Sequence, residues 1–243
     1  MTKTIGGAAM VSAVTAMCLA MSGPASVRVQ ADGGEGSCAG LPSHADLKAV
    51  MITASGPGSG ITGNNRGFGN EMWGAVINRD GVVCAVVFTG TDRHAEWPGS
   101  RVIAAQKANT ANAFNLDDLA LSTANLYPLV QPGASLFGLQ ESNPVATDVA
   151  YKGPATHYGQ FNDPMVGERL GGVNVFGGGL GLFKNGRVIG GIGVSGDTSC
   201  ADHNIAWKAR QLLHLNATPT NDNIGYGPGA HPFCLGGETP PAP

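Results

Sequence analysis

The sequence predicts one α/β (α+β) domain, in which a mainly antiparallel sheet of about five strands carries flanking helices. Two pairs of apolar, β-branched runs predict two hairpins, one joined by Asn78-Arg79-Asp80-Gly81 and the other by Lys184-Asn185-Gly186-Arg187. Asp-Gly and Asn-Gly favour such turns because they accept positive φ angles. Helix-like segments between and after the hairpins predict helices packed on the sheet.

The strands are expected at 73–77, 82–88, 180–183 and 188–194, with a fifth, short strand at 135–139. Four longer helices are expected. They run from about 43 to 54 with a Ser43/Asp46 capping box, from 101 to 114 with Ser100 as the cap, from 117 to 126, and from 199 to 214. Asp197 or Ser199 would cap the last of them.

The N-terminal segment 1–31 has the pattern of a secretory signal peptide. A basic Lys3 precedes an apolar, small-residue stretch, and a small-x-small cleavage pattern ends at Ala31. An uncleaved anchor is the alternative, and no stable transmembrane segment is expected elsewhere. The domain would then occupy 32–215 with an insertion at 140–178, and 216–243 would form an irregular tail held by a disulfide. The expected location is periplasmic or secreted.

Charge argues against nucleic acid as a partner. Removing residues 1–31 takes away Lys3 and Arg28 and leaves 12 basic residues against 17 acidic ones, whereas a phosphate backbone requires a basic face. Charged residues make up only 13% of the chain, and 38 residues are glycine. A surface with so little charge favours a homo-oligomer.

Four cysteines remain after residue 31, and an even number in an exported chain predicts two disulfides. Cys38 precedes the first helix and Cys84 follows the first hairpin turn, which favours Cys38–Cys84 and leaves Cys200–Cys234. Three pairings are nevertheless open, and four buried thiols are the alternative to bridges.

The stretch 190–206 is the first candidate site, because a strand ends there in a glycine-rich turn before a helix. The turn Gly193–Gly196, with Ser195 in it and Asp197 next to it, would present backbone N–H groups to a ligand carboxylate. His203 lies in the first helical turn, where the helix dipole favours a neutral, metal-ligating imidazole. The alternative is a partly buried structural histidine. A serine hydrolase is disfavoured, since G-x-S-x-G would need glycine where Asp197 stands.

Two further segments carry candidate residues. Asp92, His94 and Glu96 alternate in a way that could bind a metal, and Arg101 and Lys107 could pair with ligand carboxylates. Glu141 precedes the insertion and could act as a base. The aromatic residues Tyr151, His157 and Tyr158 of the insertion could line a haem-like pocket. The alternatives are a polar loop leading into a helix for the first set, solvated positions for Arg101, Lys107 and Glu141, and packing within the loop for the aromatic residues.

Three motifs together resemble the GlcG/HbpS-like haem-binding (haem-degrading domain) family over about 41–213. They are VINRDGVV, SRVIAAQKANTANAF, and NGRVIGGIGVSG followed by DTSCADHNIA. The resemblance implies an antiparallel sheet with flanking helices, frequent oligomerisation, and binding of haem or related tetrapyrroles, with haem degradation or redox sensing in some members. The signal peptide, the four cysteines and the insertion depart from the simplest members.

The resulting expectation is an exported haem-binding protein. His203 would be the axial ligand with His94 as second choice, and Arg101, Lys107, Gly193, Ser195, Gly196 and Asp197 would contact carboxylates. Covalent haem is not expected, since C-x-x-C-H is absent from the sequence. One alternative is an enzyme acting on a small carbonyl or carboxylate substrate with Glu141 or His203 as acid–base group, and another is a structural oligomer. The residues do not decide whether the chain is an enzyme.

Overall fold

A computed structural model describes residues 1–2, 37–56, 65–217 and 221–242. The chain divides into two units, Met1–Gln30 and Ala31–Pro243, and the description below concerns the second. Almost all of the predicted signal peptide lies outside the described residues. The same holds for 57–64 within the predicted loop.

One antiparallel sheet of four strands forms the centre of the fold. The strands are β1 (Trp73–Asn78), β2 (Val83–Phe88), β3 (Gly179–Lys184) and β4 (Arg187–Ser195), in the spatial order β2-β1-β4-β3. Both predicted hairpins are present, and they join along β1 and β4, from Trp73 opposite Ser195 to Asn78 opposite Gly190.

The prediction of a fifth strand at 135–139 is wrong. Successive turns occupy this segment, closed by local bonds such as Leu139 N–H to Leu136 O, and Gly138 has a φ of +88°. The Leu136 N–H bonds the Leu129 carbonyl, so the backbone of the segment pairs with nearby residues and not with a strand. The four strands named above are those of the described part of the chain.

The described helices are α1 (His44–Ser55), α2 (Ser100–Phe114), α3 (Thr123–Leu126), α4 (Thr147–Ala150) and α5 (Ser199–Leu212). Helix α1 has the predicted capping box of Ser43 and Asp46. Among the described residues, none of the helices is both long and apolar enough to span a membrane.

Three predicted helix starts need correction. Gly99, not Ser100, stands at the N-cap of α2, and Thr198, rather than Asp197 or Ser199, caps α5 through a bond from Ala201 N–H. The helix predicted at 117–126 is reduced to α3. Its start is lost because the Asn115 amide bonds both the N–H and the carbonyl of Leu121, which holds 115–121 in a turn.

Helices cover both faces of the sheet. Helices α1 and α5 pack on one face around Met51, Ile192 and Val194, and this cluster includes the indole of Trp207. Helix α2 packs on the other face with Ala104 and Ala108 against Ala75 and neighbouring residues. Each layer buries apolar surface, which is the main favourable term in folding.

Two glycines of β4 allow α2 to lie directly on the sheet. A Cβ atom added to Gly193 would come within 3.0 Å of the backbone of Ala104 and Ala108, and one added to Gly191 would do the same at Ala108 and Asn112. Because backbone atoms cannot move aside as a flexible side chain can, any larger residue would push helix and sheet apart.

Two disulfides lie within the described residues. They join Cys38 to Cys84 and Cys200 to Cys234, the two pairs that the element order favours. The first ties the segment before α1 to β2. The second ties the start of α5 to the tail 221–242.

Replacing Gly193 by Ala should destabilise the protein by at least about 3 kcal/mol, since the added methyl group overlaps backbone rather than side chain. For a domain of this size the melting temperature should fall by at least about 6 °C in calorimetry. Gly225→Ala is the matched control, because a Cβ atom at Gly225 has ordinary contact with Ala230. Equal melting temperatures for the two variants would contradict the close approach of α2.

Candidate functional site

His203 lies in the protein core and not at a cavity mouth. Its side chain has 0% exposure, its ring stacks on Trp207, and its Nε2 accepts a bond from the Ile224 N–H. Burial lowers the pKa of His203 to about 3, helped by the positive charge of Arg210. The imidazole is therefore neutral because of burial, whereas the sequence-based prediction relied on the helix dipole. The expectation that it binds a ligand at a cavity is corrected, because the tail shields it and it lines none of the cavities described below.

Lys107 is also unavailable to a ligand carboxylate. Its ammonium group is fully buried and donates to Asp202 at 2.7 Å and to the Val194 carbonyl at 3.0 Å. Burial lowers the pKa of Lys107 and raises the pKa of Asp202 to about 7, because removal from water disfavours both charges. The pair joins α2 to α5, so the predicted ligand contact is replaced by an internal one.

The turn 193–197 binds the protein's own backbone rather than presenting free N–H groups. Asp197 accepts bonds from the N–H groups of Phe68, Gly69 and Asn70, and its own N–H donates to Asp202. Ser195 is buried at the end of β4. These contacts correct the proposed carboxylate site at this turn.

The other glycines of the turn are equally enclosed. A Cβ atom on Gly196 would come within 3.0 Å of Glu71, and Gly193 lies under α2. Neither position leaves room for a ligand group beside the backbone. Asp202, in the first turn of α5, already supplies the negative charge that a helix N-terminus favours.

A groove between β1, the loop before α2, and the insertion brings together other predicted residues. It encloses about 200 Å³. Below it is called the aromatic groove, and it is lined by Trp73, Arg93, His94, Pro98, Arg101, Tyr151, Ala155 and Tyr158. Two residues from the predicted set, His94 and Arg101, thus meet two of the aromatic residues expected around a haem-like pocket.

Arg101 holds the wall of the groove in place. Its guanidinium group makes a two-pronged contact with Asp163, including an Nε bond of 2.9 Å, and donates to the Ala150 carbonyl. The same group lies 3.7 Å from the centre of the Tyr158 ring. Asp163 also accepts from the Gly159 N–H. Arg101 therefore orders the insertion, and its charge is met by a protein carboxylate instead of a ligand.

His94 is the exposed imidazole of the groove. Its side chain is 70% exposed, and Nδ1 lies 3.3 Å from an Asp92 oxygen. In the neutral imidazole, an Nδ1–H group that faces this carboxylate leaves the lone pair on Nε2. This carboxylate–histidine pair is the usual arrangement behind a metal-binding nitrogen.

Glu96 lies two residues beyond His94 but is buried. The Ser100 hydroxyl lies 3.4 Å from its Oε1. Burial raises the pKa of Glu96 to about 7, and the negative charge of Asp202 adds to the shift. The two carboxyl groups and the imidazole of the predicted metal set therefore do not form one site. Asp92 and His94 lie side by side at the surface, whereas Glu96 is buried.

Glu141 lies in an exposed turn and does not line the aromatic groove. His157 is also not among the lining residues. Sequence reasoning missed Trp73, Arg93 and Pro98 as site residues. The position of Arg93 directly before His94 in a polar loop could have indicated a role in the site. The sequence around Trp73 indicates only the first residue of a strand.

The layered fold and the groove define a small α+β domain with an aromatic-lined groove at its surface. The chain belongs to the family described as haem-degrading protein HbpS-like, whose sequence model matches residues 66–211. No curated protein matches the chain.

Several solved structures are similar. One is described as a PduOC:heme complex, with a TM-score of 0.48 and 21% identity over 71% of this chain and 93% of that chain. Another is the Klebsiella pneumoniae protein ORFY, with a TM-score of 0.46 and 24% identity over 71% and 90%. A third is a double mutant of Streptomyces reticuli HbpS, with a TM-score of 0.45 and 19% identity over 78% and 99%.

The raised pKa of Glu96 predicts how stability changes with pH. The folded protein retains the Glu96 proton up to about pH 7, whereas the unfolded chain releases it near 4.5. This contribution to stability is therefore present at low pH and is lost as pH rises through that window. Glu96→Gln should remove it, so urea unfolding should show the variant gaining stability over the parent between pH 5 and pH 8.

Glu141→Gln is the control for this comparison, because Glu141 is exposed. The unfolding free energy of Glu141→Gln should change between pH 5 and pH 8 by the same amount as that of the parent. A Glu96→Gln variant whose unfolding free energy runs parallel to that of the parent would show that Glu96 ionises normally.

Proposed function

We propose that this protein binds haem or a related tetrapyrrole at the aromatic groove, with His94 as the iron ligand. Membership of an HbpS-like haem-degrading family supports the ligand class. The observation that carries the site is the pairing of an exposed imidazole, supported by a carboxylate, with aromatic walls in one groove. Haem ligation needs such a nitrogen beside an apolar slot.

The walls suit a flat macrocycle. Tyr151 and Tyr158 supply accessible aromatic surface, and Trp73 lines the groove with only 2% of its surface exposed and packs on Phe88 at a ring distance of 4.6 Å. Aromatic rings pack favourably against extended π-systems. Because Arg101 keeps Tyr158 in position through a cation–π contact, one wall is held before a ligand arrives.

Arg93 is the partner proposed for the ligand carboxylates. It lines the groove and is half-exposed. A guanidinium group pairs with carboxylates through two parallel bonds. Arg101, the residue expected in this role, lies deeper and is engaged by Asp163.

The size of the groove points to a second copy of the chain as part of the site. A volume of about 200 Å³ is below the roughly 300–1,000 Å³ of pockets that enclose drug-sized ligands. The groove would hold one edge of a macrocycle and leave the rest outside. Trp97, Tyr151 and Phe161 are exposed apolar side chains on the loops around it, and such surfaces mark association. We therefore include a homo-oligomer in the proposal.

Export is also part of the proposal. It is supported by the signal-like segment 1–31 and by the two disulfides, which persist in oxidising compartments. A periplasmic or secreted protein of this kind would meet haem outside the cytoplasm.

An enzyme that uses Glu141 or His203 as its acid–base group lacks structural support. Glu141 is an exposed turn residue and His203 is a core residue. A general acid or base must reach the reacting group of a bound substrate, and neither residue lines the aromatic groove.

Hemin titration tests the proposal. The parent protein should give a saturable, red-shifted Soret band, and His94→Ala should weaken binding at least about tenfold, because the loss of even an outer-shell partner costs a metal site that much. His203→Gln should lower stability but leave the Soret band and the affinity unchanged, since His203 is sealed in the core.

His157→Ala is the matched control, as it removes a histidine of the insertion that does not line the groove. Unchanged affinity and spectrum in His94→Ala would exclude His94 as the ligand. Absence of saturable hemin uptake by the parent protein would exclude the function and favour a structural oligomer.

A further inference from the structure

Three potential metal-ligating side chains meet where the C-terminal tail contacts the start of α5. They are Cys200, His231 and Cys234, and one ligand atom of each lies within 4.8 Å of those of the others. Cys200 belongs to α5, and the other two belong to the tail. In the described parts of the chain, no other group of three His, Cys, Asp or Glu side chains is this compact.

The His231 ring is oriented with a lone pair available. Its Nδ1 lies 2.8 Å from the Pro232 carbonyl, which can only accept, so the proton is on Nδ1. Nε2 accepts only a long bond, 3.3 Å, from the Gly177 N–H. A second-sphere carbonyl that fixes the tautomer is the usual arrangement for a metal-bound histidine.

The two sulfur atoms differ in exposure and in hydrogen bonding. Cys200 is 0% exposed, whereas Cys234 is half-buried. The Cys234 Sγ lies 3.2 Å from the Cys200 N–H and 3.5 Å from the Ser199 hydroxyl, at the N-terminus of α5. Donors and a helix N-terminus stabilise a thiolate. Cys234 is thus the more accessible sulfur, and the hydrogen-bond donors around it would stabilise its thiolate once the disulfide is reduced.

We propose that reduction of the Cys200–Cys234 disulfide converts this cluster into a Cys2His site for Zn²⁺ or a similar thiophilic divalent cation. Zinc bonds sulfur at about 2.3 Å and imidazole nitrogen at about 2.0–2.1 Å in a tetrahedral arrangement. Once the S–S bond is broken, the two sulfur atoms must separate to about 3.8 Å to share a tetrahedral zinc ion. The three ligand atoms already lie within 4.8 Å of one another. Two thiolates and an imidazole favour zinc over calcium or magnesium. Water would take the fourth position.

The chemistry balances with a dithiol as reductant. One thiolate of the dithiol attacks Cys234 Sγ, and the S–S bond breaks with its electron pair on Cys200. The second thiolate then closes the cyclic disulfide of the dithiol and releases Cys234 as a thiolate. Two electrons pass from the dithiol to the protein, and the two protons appear in solution when Zn²⁺ binds both sulfurs.

The tail should remain in place when the disulfide opens. Arg210 and Asp222 form a buried two-pronged ion pair, and the Trp207 indole N–H donates to the Ala242 carbonyl at 2.8 Å. In the tail, Asp222 precedes His231 and Cys234, and Ala242 follows them. Neither contact involves sulfur. They would keep His231 and Cys234 beside Cys200, so the site forms without refolding. The inference is independent of haem binding, because none of the three ligands lines the aromatic groove.

Cobalt titration of the reduced full-length protein tests the site. A Cys18→Ser background removes the fifth thiol, and the dithiol is removed under argon before Co²⁺ is added. We expect one Co²⁺ per chain, with a thiolate-to-cobalt charge-transfer band that Zn²⁺ abolishes and that the oxidised protein never shows. His231→Asn should weaken binding at least about tenfold.

The second disulfide supplies the matched control. Cys38→Ser/Cys84→Ser should retain the cobalt band, and Cys200→Ser/Cys234→Ser should lose it, with circular dichroism confirming the fold of each variant. Loss of the band only with Cys38 and Cys84, or unchanged affinity in His231→Asn, would overturn the proposal.

Alkylation gives a readout that needs no substitution in the cluster. Zn²⁺ should slow the reaction of Cys200 and Cys234 with iodoacetamide in the reduced protein, and leave Cys38 and Cys84 unaffected, as measured by peptide mass spectrometry. Equal alkylation rates with and without Zn²⁺ would also overturn it.

Discussion

The contact between α2 and β4 is the constraint on which the rest of the structure depends. Gly191 and Gly193 let the helix backbone rest on the strand, where any side chain would collide with the carbonyls of Ala104 and Ala108. Close packing of this kind fixes both the distance of the helix from the sheet and its rotation about its own axis. Lys107 is thereby buried against Asp202, so that α2 and α5 are joined by a charge pair in the core.

The same contact determines where Arg101 lies and therefore where the insertion folds. Arg101 projects from the first turn of α2 to Asp163, which in turn binds the Gly159 N–H. Removing one partner of a buried pair leaves an uncompensated charge, which costs roughly 3–5 kcal/mol. The 140–178 segment has little regular structure, so this buried pair adds to the apolar anchors Met165 and Leu170 in holding it on the domain. The pair also positions Tyr158 of the groove, since the Arg101 guanidinium group lies over its ring.

Local patterns in the sequence predicted the local features well. The two hairpins, the Ser43 capping box and the body of α2 all follow from residues close together in the chain. The fifth strand and the 117–126 helix failed because turns and one amide side chain, Asn115, took over the backbone hydrogen bonds. Side-chain competition of this kind leaves no periodic signal.

The candidate site was only half predictable for a related reason. The prediction for His203 considered the start of α5 alone, and burial of that residue depends on Ile224 in the tail. Lys107 and Arg101 read alike in sequence, yet their partners lie 95 and 62 residues away. The aromatic groove draws on β1, the loop before α2, and the insertion. No single stretch of sequence contains it.

A crystal structure of the hemin-treated protein, with anomalous diffraction at the iron edge, tests the central claim most directly. The account predicts one iron peak beside His94 Nε2, with the macrocycle edge against Tyr151 and Tyr158. An iron atom bound to another residue, or a macrocycle seated away from these rings, would contradict it.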